Sequence, residues 1–540
     1  VGLQQFQASP STVIPGRFQS SSFVPSMYDP AKAPLLYRPA CLGGVNPCAA
    51  GNRRAVDPRN PSVLLPVALV GQIVPGTGEQ LNGIVVSGDP GYPRELVDFQ
   101  GILPAPRLGF SWDVFGDGGT AIRGGFGVNY NPRNNGGNTG DMQSNPPNVY
   151  QPVVRYGTTA NFLASQGTFS PPGFSRTLNR DNKPSVAYNT SLGVQRRLPW
   201  QFVIDVSYVG SFNRHIGAIT QLNNVPYGAR FQAANLDPTR QSPQALPDEL
   251  LRPYRGYGGI PFLTFDANSN YHALQTSLQR RFSKGFQLGM VYTWSKAMDY
   301  QDGDKDDVTT ANDRRLWNYG LSLYDRTHIF AANYLWNLPG DKIGNGFLKG
   351  IVGGWQVSGI TRWQSGAPLS LAGSLRTGCS IAGAPCANTT ANNFGTDITG
   401  GSEGWRPVVT GNPVLPRDQR TVDRWFDTTV FQPPALAQQV TNMAGVQQVL
   451  DRGNVGRRIA ARGPGLFNTD LALFKNINLA GNLKAQLRIE AYNVFNHTQF
   501  DTVNTTAQWD QSGAQVNPAF GKVTGARDPR IVQLGLQLKF

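Results

Sequence analysis

The chain contains no segment that could cross a membrane as a helix. Its most apolar stretch, VLLPVALVGQIV from Val63 to Val74, is broken by Pro66. It falls short of the ~20 apolar residues that a spanning helix needs. Charge is scarce too: only 15% of the 540 residues are Asp, Glu, Lys or Arg. That charge is unbalanced, with 48 Lys and Arg against 34 Asp and Glu, a formal net charge of +14. The surplus favours anionic surroundings. No Lys/Arg run gathers it into one basic face, which argues against nucleic acid as a partner. No Met begins the chain and no signal peptide opens it, so Val1 reads as the start of a processed chain or a fragment.

Histidine is nearly absent. The four residues, His215, His272, His328 and His497, are far apart in sequence and fall near strand ends or loop edges. No GxSxG elbow, HExxH pair or P-loop occurs, so an enzyme is not expected and no catalytic residue is assigned. There are four cysteines, as Cys41-LGGVNP-Cys48 and Cys379-SIAGAP-Cys386. Both pairs lie in Gly/Pro-rich sequence without the CxxC spacing or neighbouring His of a zinc site. They read as two local disulfides in an oxidising compartment, against the alternative of four free thiols.

What the chain does contain is glycine (62), proline (40), aromatics (10%) and strict alternation. RIVQLGLQLKF closes the sequence with Val532, Leu534, Leu536, Leu538 and Phe540 on one side of a period-two pattern. The same pattern recurs in pairs of segments. RLGFSWDV turns at GDGG into a strand carrying Ile122, Phe126, Val128 and Tyr130. Tyr188 to Val194 turns at Pro199-Trp200 into Phe202 to Tyr208. YHALQTSLQRRF turns at Ser283-Lys284-Gly285 into FQLGMVYTWSK. A fourth pair covers about 324–338 and 355–364, and a fifth 469–479 and 483–495.

Short turns alternate with long loops, and the face opposite the apolar one is repeatedly charged or amide-bearing, as in Lys484, Gln486, Arg488 and Glu490. Aromatics such as Trp112, Tyr130, Trp294, Trp336 and Trp363 stand near strand ends. These features predict an all-β transmembrane antiparallel barrel in the bacterial outer membrane, with short periplasmic turns and long extracellular loops. Eleven strands are legible, an odd number for a single-chain barrel. Residues 1–103 read as an irregular extracellular loop region and 104–540 as the carboxy-terminal half of the barrel. Either a strand precedes residue 1 or strands lie hidden within 1–103.

The segments APRLGFSWDVFGDGGTAIRGGFGVNYNP, NYHALQTSLQRRFSKGFQLGMVYTWSKAMD, DRTHIFAANYLWNLP, GWQVSGITRWQSGAPLS, RGPGLFNTDLALFKNINL and LRIEAYNVFNHTQF, in this order, resemble the carboxy-terminal portion of Oar-like TonB-dependent outer-membrane receptors. The resemblance implies a 22-stranded barrel whose plug, TonB-contacting segment and remaining strands lie upstream of Val1. It implies the TonB complex, the barrel-assembly machinery, outer-membrane lipids and lipopolysaccharide as partners, and an unidentified solute as cargo. Phe540 resembles the signal read by the assembly machinery. No cofactor is expected.

Two groups of site candidates follow. In DYQDGDKDD, Asp302, Asp304 and Asp306 have alternate spacing suited to calcium or another cation. The sixth position is Asp307 rather than Gly, which breaks the EF-hand pattern, and a solvated charged loop is the alternative. Arg123, Asp205, Arg362, Lys484, Arg488 and Glu490 are expected to face the lumen, either paired with one another or a plug, or touching solute. Specificity is expected in loops 131–184, 212–270, 297–321 and 366–465. Two rival roles remain open at this level: a surface binding or scaffold protein anchored by the barrel, and an open diffusion pore.

Overall fold

The computed structural model describes residues 2–5, 20–79, 81–94, 96–131, 141–148, 152–153, 168–181, 183–241, 244–303, 308, 314–342, 346–375, 400–434, 453–480, 483–510 and 513–539. Eleven antiparallel strands follow one another in a single path. They are β1 (Arg107–Asp113), β2 (Thr120–Tyr130), β3 (Val186–Leu198), β4 (Phe202–Gln221), β5 (Pro261–Ser283) and β6 (Phe286–Asp299). They continue as β7 (His328–Asn337), β8 (Trp355–Gln364), β9 (Leu466–Ala480), β10 (Leu483–Tyr492) and β11 (Ile531–Lys539). Two short strands, Thr177–Leu178 beside β5 and Gly320–Leu321 beside β6, bring the sheet to 13. Each of the eleven pairs with its neighbour along the chain, so they form a meander, and among the described residues only Thr177–Leu178 joins out of order, parallel to β5.

Register carries one parity across the whole sheet. Glu490 opposes Ala472, Asp470 opposes Ile360, and Arg362 opposes Ala331. Further along, Ser277 opposes Asp205, and Gln195 opposes both Asp205 and Ala121. Directly opposed residues share a face, and alternate residues of one strand share it too. One face is therefore polar from β2 to β11. The other carries Leu108, Phe110, Trp112, Tyr208, Trp294, Trp336, Leu534 and Leu536, all exposed. Leu534 and Leu536 keep 72% and 67% of their surface, too much apolar area for a face that meets water.

The tight turns have identifiable causes. Between β1 and β2, Asp113 accepts hydrogen bonds from the Gly116 and Gly118 amides at 3.1 and 2.7 Å. Both glycines have positive φ, which a side chain would resist. Between β5 and β6, Lys284 and Gly285 take φ of 50° and 80°, the left-handed pair of a two-residue hairpin. The β7–β8 connection is longer and contains a helix, α1 (Gly346–Val352).

The structure lengthens two strands beyond the alternation. β4 has 20 residues and β5 has 23, so the loop expected at 212–270 shrinks to 222–260. Pairing continues past Asn213 through register shifts at Ile216 and Ala218, with His215 at φ 56°. Each bulge re-phases the side chains, and that hides a strand from a period-two reading.

The described parts of the long loops fold onto one another. Trp405, Phe426, Phe431, Val455, Ile459, Val503, Trp509 and Phe520 form one buried cluster drawn from loops 365–465 and 493–530. Ala372–Leu375 pairs with Thr506–Trp509 beside it. Among residues 20–103, Ser21–Phe23 pairs with Ile84–Val86, and Arg38–Cys41, Arg53–Asp57 and Asn60–Pro66 make a small sheet. None of these strands joins the large sheet among the described residues. Phe23 instead packs edge-on against Phe174, Tyr254 and Tyr257, tying this region to the β2–β3 and β4–β5 loops.

Candidate functional site

The six residues expected to face inward all fall on the polar face by register. They do not pair with one another. Asp205 accepts from the Ser207 hydroxyl at 2.5 Å. Arg488 donates to the Gln486 and Gln537 amide oxygens at 2.8 and 2.5 Å and lies 5.7 Å from the Phe474 ring. Arg123, Arg362 and Lys484 are exposed.

Arg362 lines an open groove of about 480 Å³ on this face with Arg281, Gln279, Gln287, Asn333 and Ile360. The groove offers two guanidiniums and three amides, a donor-rich surface suited to carboxylates, phosphates or hydroxyls. Arg281 and the amides escaped the sequence reading, although Gln279 and Gln287 share its period-two parity.

A second constellation sits where the loops meet the wall. Arg457 bonds Asp299, and Arg457 and Arg458 both reach Asp302, the former at 2.6 Å. The Leu323 amide donates to Asp302 at 2.8 Å. Burial pushes the Asp302 carboxyl up, but the Leu323 amide and the Arg458 and Arg457 guanidiniums together hold it below its ordinary range. Arg462 bonds the fully buried Asp325 at 2.5 Å, and the Ala297 amide donates to the other oxygen at 2.6 Å. Arg406 donates to the Trp317 carbonyl at 2.6 Å and covers the Trp317 ring at 4.6 Å. Burial, together with Arg457 and Arg458 nearby, lowers its pKa to about 10. Four arginines of the β8–β9 loop thus clamp it to the β6–β7 loop.

Asp302 therefore meets two cations supplied by the chain itself. Asp304 and Asp306 lie outside the described residues, as do Cys379, Cys386 and Phe540. No group of three metal-ligating side chains occurs among the described residues. Cys41 and Cys48 form a disulfide. Next to it the Cys48 amide donates to the Thr239 carbonyl at 3.2 Å, and Arg53 bonds the buried Asp237. The staple thus fixes residues 41–53 on the β4–β5 loop.

Two of the four histidines are engaged by tyrosines. Tyr208 Oη and His272 Nδ1 are 2.9 Å apart, and Tyr292 Oη and His328 Nδ1 are 2.8 Å apart. Both pairs lie on the apolar face near its long-loop end. A ring with one polar atom suits a boundary between hydrocarbon and water.

A family model described as an outer membrane beta barrel domain matches residues 49–533. The chain belongs to that family. Among solved structures this outer-membrane barrel chain is similar to the outer membrane transporter YddB from Escherichia coli, with TM-score 0.39, 11% identity, and coverage of 82% of this chain and 41% of that one. It is also similar to the siderophore receptor PirA from Acinetobacter baumannii, with TM-score 0.35, 10% identity, and coverage of 81% and 41%. The FrpB iron transporter from Neisseria meningitidis gives TM-score 0.33, 11% identity, and coverage of 81% and 39%. The chain spans less than half the length of each. No curated protein matches it.

Family membership gives the two faces of the barrel sheet their solvents. The apolar face meets outer-membrane lipid and the polar face the lumen. Short turns mark the periplasmic end, and the clamped loops the extracellular end.

Proposed function

We propose that this barrel forms the carboxy-terminal wall and extracellular cap of an Oar-like, TonB-dependent transporter or receptor that takes up a solute across the bacterial outer membrane. The observation that carries the reading is the clamped cap. Arg406, Arg457, Arg458 and Arg462 hold the β8–β9 loop against Trp317, Asp299, Asp302 and Asp325. An open diffusion pore has no use for a folded lid with its own apolar core, whereas a receptor needs a shaped surface to recognise its cargo. The ordered motif series quoted above supports the family subdivision.

On this reading residues 1–103 belong to the cap, and 104–540 supply the wall together with the long loops that build the rest of the cap. Transport on this reading also requires a plug and a segment that meets TonB. Lipopolysaccharide surrounds the outer leaflet, and the assembly machinery reads the alternating segment that contains Phe540. The basic balance and the Arg281–Arg362 groove favour an anionic or hydroxyl-rich solute. The role is capture and passage, without catalysis. A cation proposed for Asp302, Asp304 and Asp306 competes with Arg457 and Arg458 for the Asp302 carboxylate. Calcium titration followed by protection of residues 453–465 tests that competition.

Uptake by a deletion strain, across labelled nutrients and with or without an uncoupler, tests the proposal. Energy-dependent accumulation of one nutrient, lost on deletion, is the expected result. Binding without accumulation would point to a surface anchor, and ion conductance of the purified protein without energy input to a pore.

A further inference from the structure

The stripe of β9 that faces lipid reads Leu471, Leu473, Lys475, Ile477, Leu479, with a lysine in the middle of an apolar run. Lys475 is nonetheless only 7% exposed. Its ammonium donates to the carbonyls of Gly350 and Ile351 at 2.7 and 2.9 Å, and to that of Gly353. Gly350 and Ile351 lie in the last turn of α1 and Gly353 directly follows it, where a helix end leaves acceptors unfilled and where a cation is favoured. Trp355, directly opposite Lys475 in register, donates its indole N–H to the Ile351 carbonyl at 2.8 Å. Its ring also lies 5.3 Å from the ammonium. Both anchoring side chains project from the lipid-facing side of the wall. They strap α1 to the outside of the barrel, at its periplasmic end.

The helix held there reads GFLKGIV, and Phe347, Leu348, Ile351 and Val352 are 77%, 46%, 53% and 43% exposed. Ile477 and Leu479 continue the same apolar surface on the wall beside it, at 39% and 53%. An apolar patch that runs on from a lipid-facing wall has the same solvent as that wall. We propose that α1 is an interfacial anchor that seats in the periplasmic phospholipid leaflet, with Lys475 and Trp355 as the strap. Its apolar side chains enter the acyl region while its backbone stays level with the headgroups. The inference rests on the outer-membrane assignment and is independent of which solute crosses.

The test uses the full chain in vesicles of phosphatidylethanolamine and phosphatidylglycerol carrying a diazirine acyl chain. Photolabelled peptides are mapped by mass spectrometry. Residues 346–355 should be labelled several-fold above the turn at 116–119, and to a level similar to Ile531–Lys539. Labelling of 346–355 no higher than that of the turn overturns the proposal and leaves a periplasmic protein as the occupant. In Lys475→Met the wall stripe stays apolar but the strap is lost. The label on 346–355 should then fall while that on Ile531–Lys539 is retained, which also reports that the variant has folded. An unchanged label on 346–355 in that variant overturns the strap.

Discussion

Asp325 gives one carboxylate oxygen to the Ala297 amide and the other to Arg462, and its side chain is fully buried. Removing one partner of a buried pair leaves the other charge without compensation. Asp325→Ala should therefore loosen the β8–β9 loop by about 3 kcal/mol, seen as faster hydrogen exchange over 453–465 with the wall strands unchanged. Asp302 predicts a pH dependence. Its folded pKa is depressed, so its contribution is complete above the unfolded value of about 3.9 and is lost as pH falls through the lower folded value. Exchange over 453–465, corrected for intrinsic rates, should rise on acidification, and Asp302→Asn should remove that step. These partners were illegible in sequence because loops carry no period. That Arg123, Asp205, Arg362, Lys484, Arg488 and Glu490 share one face was legible because parity alone places them there.

At the level of elements, the strands with unbroken alternation were readable and the bulged extensions of β4 and β5 were not. The same holds for the tight turns, where Gly116 and Gly118 announce themselves, and for the folded cap, whose core is gathered from segments about 100 residues apart. Gly366 marks where cap and wall meet. A Cβ there would lie 1.8 Å from the Gly463 carbonyl oxygen, a backbone atom with no room to yield. Gly366→Ala should detach the loop-side ends of β8 and β9, measurable as proteolytic nicking within 453–465. The Cys41–Cys48 staple closes a short loop and should contribute roughly 2–3 kcal/mol locally. Cys48→Ser should expose residues 41–53 to protease while heat-modifiable migration of the barrel is unaltered.

For the molecule as a whole, the sheet divides two solvents, and the cap closes over only one of them. The polar face holds Arg281 and Arg362 in a groove, while the apolar face carries exposed leucines and aromatics with α1 strapped beside them. Architecture and location were legible because a period of two with opposite faces has few physical solutions. The proposed cargo was not, because the loop contacts that would recognise it follow no period in the sequence. The division of faces is tested most directly by single cysteines on β11 in a background whose native cysteines are replaced, labelled in vesicles with a membrane-impermeant maleimide. Gln533→Cys and Gln537→Cys should react, and Leu534→Cys and Leu536→Cys should stay protected. Equal labelling at all four positions, or the reverse order, would contradict the account.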